Sequence, residues 1–195
     1  MSTLSFTGHI AGVGTTSGVR VVVGLWDETP FGAVADAMVE DADGHRALVA
    51  PTAELAELIA TTYTFDEVVI ETVERDGWTV TSPSIALTLT PGRRRGIGVL
   101  LRTVPAPLRR SPTWARLCDP IARTVMPGVR TYGTAGNDRT EWYAARDAWR
   151  VAAVEGTWRG TDLGSLAPVD PPVRFGFGSA PRTPTVTSLT SYVRG

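Results

Sequence analysis

Val19, Val21, Val23 and Leu25 alternate with Arg20, Val22, Gly24 and Trp26. That is the period of two that a β-strand imposes, here with both faces largely apolar. A turn over residues 27–32 leads into a second alternating segment, 33–40, and the two read as a hairpin. Asp43-Gly44 and Asp76-Gly77 each sit between strand-like runs, and Asp-Gly suits the positive φ of a type I′ turn, which predicts further hairpins at 36–50 and 66–84. The 79–90 run is broken by Pro83, which cannot donate to a ladder and marks an edge or a bulge.

Helical spacing occurs twice. Thr52 precedes Glu54 and Glu57, with Leu55, Leu58 and Ile59 on one face, a short amphipathic helix with a threonine cap and its acids near the N-terminus. Ser111-Pro112 opens a second helix to Met126, in which Trp114, Leu117, Cys118, Ile121 and Val125 form one stripe. Pro120 within it predicts a kink or a break. Strand patterns then return at 129–133, 139–145, 149–158, 173–178 and 185–193, while five of the 14 prolines fall in 165–184 and make most of that stretch loop. The sum is one mainly β domain over residues 1–195: an antiparallel barrel or strongly curved sheet with one or two short helices. A βαβ arrangement fits poorly.

Composition removes several chemistries. The 19 basic residues are all arginine, so a lysine Schiff base and a P-loop or kinase-type lysine are excluded. Cys118 is the only cysteine, which rules out an internal disulfide and, with no leader pattern at the N-terminus, points to a cytoplasmic address. One cysteine and two histidines offer no metal-site spacing, so neither a metal nor a cofactor is expected. Gly12-Val-Gly-Thr-Thr-Ser-Gly18 is followed by a strand and reads as a turn, not a nucleotide loop; Asp41-Ala-Asp43-Gly44 lacks the later ligands of a calcium loop.

A formal net charge of −1 hides a polar distribution: residues 27–76 carry thirteen acids and two arginines, a balance of −11, whereas 93–130 carry nine arginines and Asp119, a balance of +8. Mutual neutralisation is the plain explanation. The other is a surface: Arg93 to Arg95, Arg102, Arg109, Arg110, Arg116 and Arg123 are interleaved with Ile97, Val99, Leu100 and Leu101, as on surfaces that meet anionic lipid or phosphorylated ligands. The acidic block disfavours a nucleic acid.

Candidate site residues follow from charges on apolar strands. Asp36 shares a face with Val34 and Met38, and Arg20 on the preceding strand is its candidate partner. In 141–150, Glu141, Trp142, Tyr143, Arg146 and Trp149 mix aromatic walls with orienting charges. His9 lies on a strand face with Thr7 and Ala11, with a structural role or a ligand contact both open. The expected function is binding of a small, partly apolar and anionic ligand in a barrel pocket, with Arg20 or Arg146 as charge partner and Trp142, Tyr143 and Trp149 as walls. The alternatives are a lyase or isomerase using Asp36 or Glu141 as acid/base with Tyr143 as donor, and a peripheral membrane or partner-binding protein acting through 93–123.

The stretches Gly24-Leu-Trp-Asp-Glu-Thr-Pro-Phe-Gly32, Pro127-Gly-Val-Arg-Thr-Tyr-Gly133 and Pro172-Val-Arg-Phe-Gly-Phe-Gly178 resemble an uncharacterised family of actinobacterial proteins. That resemblance implies no known activity. At the level of architecture the chain is similar to lipocalin-like and acetoacetate-decarboxylase-like barrels; the latter use a catalytic lysine that is missing here, so the likeness implies a binding pocket alone.

Overall fold

The computed structural model describes residues 3–176 and 178–195. Its alternating segments become β1 (Thr3–Thr15), β2 (Arg20–Glu28), β3 (Val34–Glu40) and β4 (Arg46–Ala50), each antiparallel to the one before. Then come α1 (Ala53–Ala60), β5 (Glu67–Ile70), β6 (Glu74–Asp76), β7 (Thr79–Thr81) and β8 (Ile85–Arg94). Three helices follow: α2 (Gly96–Thr103), α3 (Ala106–Arg109) and α4 (Pro112–Val125). The chain closes with β9 (Tyr132–Thr134), β10 (Thr140–Trp158), β11 (Thr161–Asp162), β12 (Leu166–Ala167) and β13 (Thr185–Arg194). Among the described residues the strands make one sheet in the order β5-β4-β3-β2-β1-β13-β10-β8-β7-β6, with β9 and β11 on β10 and β12 on β1.

The sheet is mainly antiparallel and strongly curved, but it does not close into a barrel, because β5 and β6 end the ladder unpaired with each other. Its inner face explains the curl. Ala11, Val13, Val21, Val23, Ala37 and Val39 from one arm meet Ile85, Leu87, Leu89, Val151 and Val154 from the other in a single cluster. Bulges on β10, between Ala145 and Asp147 and again around Val151, bend this 19-residue strand around that core. The outer face of β2 to β4 is also covered: Trp26, Leu48 and Ala50 pack on Leu55, Ala56 and Ile59 of α1. Full burial of Leu55 and Ile59 is worth roughly 1.5–3 kcal/mol each. This double coverage is why β2 is apolar at nearly every position.

α1 starts as expected, Leu55 N–H donating to Thr52 Oγ1. Its C-terminal end carries no basic residue of its own. Arg139 supplies one from far along the chain, Nη1 donating to Leu58 O and to the hydroxyls of Thr61 and Thr62.

Several expectations are corrected. Asp43-Gly44 and Asp76-Gly77 do form turns, but only the glycines have positive φ (86° and 57°), so neither is type I′. The 66–84 hairpin shrinks to β6–β7, since β5 pairs in parallel with β4. Segments 139–145 and 149–158 are one bent strand, β10. Residues 173–176 are no strand, although Val173 and Phe175 are buried; Phe177 lies outside the described residues. Among the described residues there are four helices where one or two were expected, and α4 runs through Pro120 unbroken.

Candidate functional sites

Asp36 on β3 pairs with Gly24 on β2. With no side chain at Gly24, the Trp26 indole and the Asp36 carboxyl lie over that backbone, where a Cβ would come within 2.3 Å of one and 2.5 Å of the other. Trp26 Nε1–H donates to Asp36 Oδ1 at 2.7 Å. Asp36, 3 % exposed, lines a cavity of about 60 Å³ beneath α1, walled mainly by Phe6, Ile10, Met38, Leu55 and Ile59, and its other oxygen has no protein partner among the described residues. Burial pushes its pKa up to about 7, outweighing the opposing indole hydrogen bond. Arg20 is not its partner: it stands opposite Glu40, four residues along β3, and pairs with that carboxylate at 3.2 Å.

Glu141 of β10 lines the same cavity. Tyr63 O–H donates to its carboxylate at 2.7 Å and Ser191 Oγ–H at 2.9 Å. Burial raises the Glu141 pKa against those hydrogen bonds, and burial beside this carboxylate drives the Tyr63 and Tyr143 phenols well above their ordinary range. Tyr63, which the sequence reading did not single out, sits three residues past the end of α1 and is carried into the cavity wall by that helix. Between about pH 4 and pH 7 the folded state keeps a proton on Asp36 that the unfolded chain has released, so Asp36 makes stability fall as pH rises through that window. Asp36→Asn, which keeps an oxygen for Trp26, is expected to flatten that slope in urea titrations run from pH 4 to pH 8.

The other expected ligand residues are dispersed. Trp142 stacks on Tyr192 with ring centroids 5.0 Å apart, lies under Arg194 and donates to Arg110 O, tying the α3–α4 junction to the sheet. Arg146 Nη2–H donates to Leu189 O. Trp149 meets His9 and Arg94, and Trp78 stands edge-on to His9 at 5.1 Å. Burial lowers the His9 pKa. Arg20, Trp142, Tyr143, Arg146 and Trp149 are not among the residues lining the cavity beneath α1, although the Tyr143 hydroxyl stands 3.3 Å from that of Tyr63 in its wall.

The second candidate is the cap made by α2 to α4. Gly98 lets α2 lie against β10, since a Cβ there would reach 2.6 Å from the Ala148 backbone and 2.5 Å from Asp147 Oδ1. Gly98→Ala is expected to lower stability by about 1–3 kcal/mol, read by urea denaturation, as that contact is overpacked. α4 is oriented against expectation. Its buried positions are Ala115 and Asp119. Asp119 accepts from Arg123, Arg130 and the Thr131 and Tyr132 N–H groups. The aliphatic stripe therefore points outward: Leu117, Ile121 and Val125 are 68 %, 65 % and 60 % exposed, and Val99, Leu100 and Leu108 are exposed beside them in sequence.

Charge on this cap is not cancelled by the acidic stretch. Ion pairs from residues 27–76 run to Arg20, Arg46, Arg75, Arg159 and Arg174. Arginines of 93–130 pair instead with Asp119 and Asp147. Arg93, Arg110 and Arg116 are exposed without an ion pair among the described residues. No helix of the described residues is long and apolar enough to cross a membrane, and no group of three or more metal-ligating side chains occurs among them. Compared with models of protein families, with curated proteins and with solved structures, the chain matches none.

Proposed function

We propose that this protein docks on anionic lipid surfaces through α2 to α4. The observation that carries the reading is the inverted α4, which turns its one carboxylate into the fold and its leucine, isoleucine and valine outward. A soluble helix buries such a stripe. An interfacial helix presses it into the headgroup boundary while arginines on its flanks meet lipid phosphates. Among the described residues the exposed large apolar side chains are all aliphatic, whereas protein interfaces favour aromatic anchors, so lipid fits better than an acidic protein. Flotation with phosphatidylcholine vesicles, with and without phosphatidylserine, tests it. Binding should require phosphatidylserine and weaken with salt, because the steering charges are exposed. Equal binding to neutral vesicles, or none to either, would contradict the proposal.

The cavity under α1 supports a second reading, a small-molecule site. At about 60 Å³ it has room for a few waters or a slim apolar segment, well short of the roughly 300 Å³ at which drug-sized pockets begin. Two carboxyls in its wall suit a neutral or cationic polar end better than an anion. Asp36, holding a proton near neutrality, could act there as a general acid. Native mass spectrometry of protein purified from its host is expected to show a small co-purifying molecule that Asp36→Asn releases; an empty cavity in both would remove this reading.

A further inference from the structure

Three arginines converge where the start of α2 meets the end of α4. Arg94, Arg95 and Arg150 line a cavity of about 310 Å³ together with Gly96, Val125 and Met126, and no acid contributes to its wall. We infer that this cavity binds a phosphomonoester dianion, presented either by a lipid headgroup or by a soluble phosphorylated molecule.

Each arginine is held differently. Arg95 is anchored by Nη1–H donating to Thr185 Oγ1, a neutral partner. Arg94 gives its Nε–H to Asp147, which orients the guanidinium. Arg150 is exposed and has no ion pair among the described residues. Burial and the charge of Arg150 both disfavour the cationic form of Arg95, the situation an anion between them would relieve. Guanidinium forks match phosphate oxygens two at a time, and a phosphomonoester brings nearly two negative charges at neutral pH. The start of α2, which no side chain caps, contributes Gly96 and Ile97 to the same wall.

Val125 belongs both to this wall and to the outward stripe of α4. The cavity therefore opens beside the surface proposed to meet lipid, at headgroup depth. The lipid source rests on the docking reading; the soluble source does not.

The test compares vesicles carrying phosphatidic acid, a phosphomonoester, with vesicles carrying phosphatidylserine at matched surface charge, and adds calorimetry with glycerol 3-phosphate in the absence of lipid. Wild-type protein should prefer phosphatidic acid by about tenfold or more, the worth of one charge-assisted arginine–phosphate contact. Arg95→Gln and Arg150→Gln should each abolish that preference while lowering flotation on phosphatidylserine no more than Arg116→Gln does, and Arg150→Lys should restore part of it. Arg116→Gln, an exposed arginine of α4 outside the cavity, should leave the preference unchanged, and thermal melts of all variants establish that they are folded. Binding of glycerol 3-phosphate that Arg150→Gln removes, without any preference among vesicles, identifies a soluble ligand and supports the site. If the protein floats on neither vesicle yet binds glycerol 3-phosphate, the docking reading fails and the site stands. No preference together with no binding of glycerol 3-phosphate, or a preference that survives Arg95→Gln and Arg150→Gln, overturns it.

Discussion

Leu117→Ser combined with Ile121→Ser is expected to reduce affinity for phosphatidylserine vesicles about 100-fold while leaving the midpoint of thermal unfolding unchanged or slightly raised. In the free protein these side chains are 68 % and 65 % exposed, so truncating them opens no cavity in the core. At the lipid boundary each would leave water. Even at the lower end of the usual range, ~1.5 kcal/mol per side chain, the pair is worth about 3 kcal/mol, or two factors of ten in binding. The same substitutions in a helix that packed its stripe inward would cost several kcal/mol of stability. Vesicle co-sedimentation and a thermal melt on one preparation decide between the two: a large fall in melting temperature, or unchanged vesicle affinity, goes against an outward-facing lipid contact.

The largest expected loss of stability is elsewhere, at Glu40. This carboxylate is fully buried at the end of β3, pairs with the nearly buried Arg20 and accepts the Arg174 N–H at 2.9 Å. Glu40→Ala leaves the Arg20 guanidinium in the core with only the Asp41 carbonyl accepting from it, and should destabilise the fold by about 3–5 kcal/mol in urea titrations. It also frees the loop bearing Val173 and Phe175 from the edge of β3. Replacing both partners, Arg20→Met with Glu40→Leu, removes the stranded charge and should recover most of the loss. A single variant no less stable than wild type would show that the pair contributes little.

Much of the sheet was readable from alternation, and some of what was misread lay within reach. Asp36 falls on the buried face its neighbours Val34 and Met38 indicated. Its supposed partner failed on register alone: Trp26 pairs with Val34 across the turn, which puts Gly24 opposite Asp36 and Arg20 opposite Glu40. Counting outward from residues 27–32 would have found both the Asp36–Trp26 hydrogen bond and the Arg20–Glu40 pair. α4 is a different case. Periodicity says that Leu117, Ile121 and Val125 share a face, not which way that face points. The orientation is decided by Asp119, whose partners Arg130, Thr131 and Tyr132 arrive more than ten residues later. α2 and α3 escaped notice because Gly96, Gly98, Pro105 and Pro107 weaken any local helix signal; α2 is held by its close seat on β10. Residues 173–176 carry apolar side chains at strand spacing, yet their burial comes from packing on Phe65, Tyr63 and Met38 and from the Glu40 anchor, without a ladder.

The depth reached by α4 tests the docking account most directly. A nitroxide attached at Ile121→Cys, in a Cys118→Ser background that removes the only native thiol, reports its surroundings on phosphatidylserine vesicles by electron paramagnetic resonance. The label should become accessible to dissolved oxygen and shielded from a water-soluble nickel chelate once the protein is bound. A label that stays fully open to the nickel chelate on vesicle-bound protein would show that the aliphatic stripe never enters the bilayer.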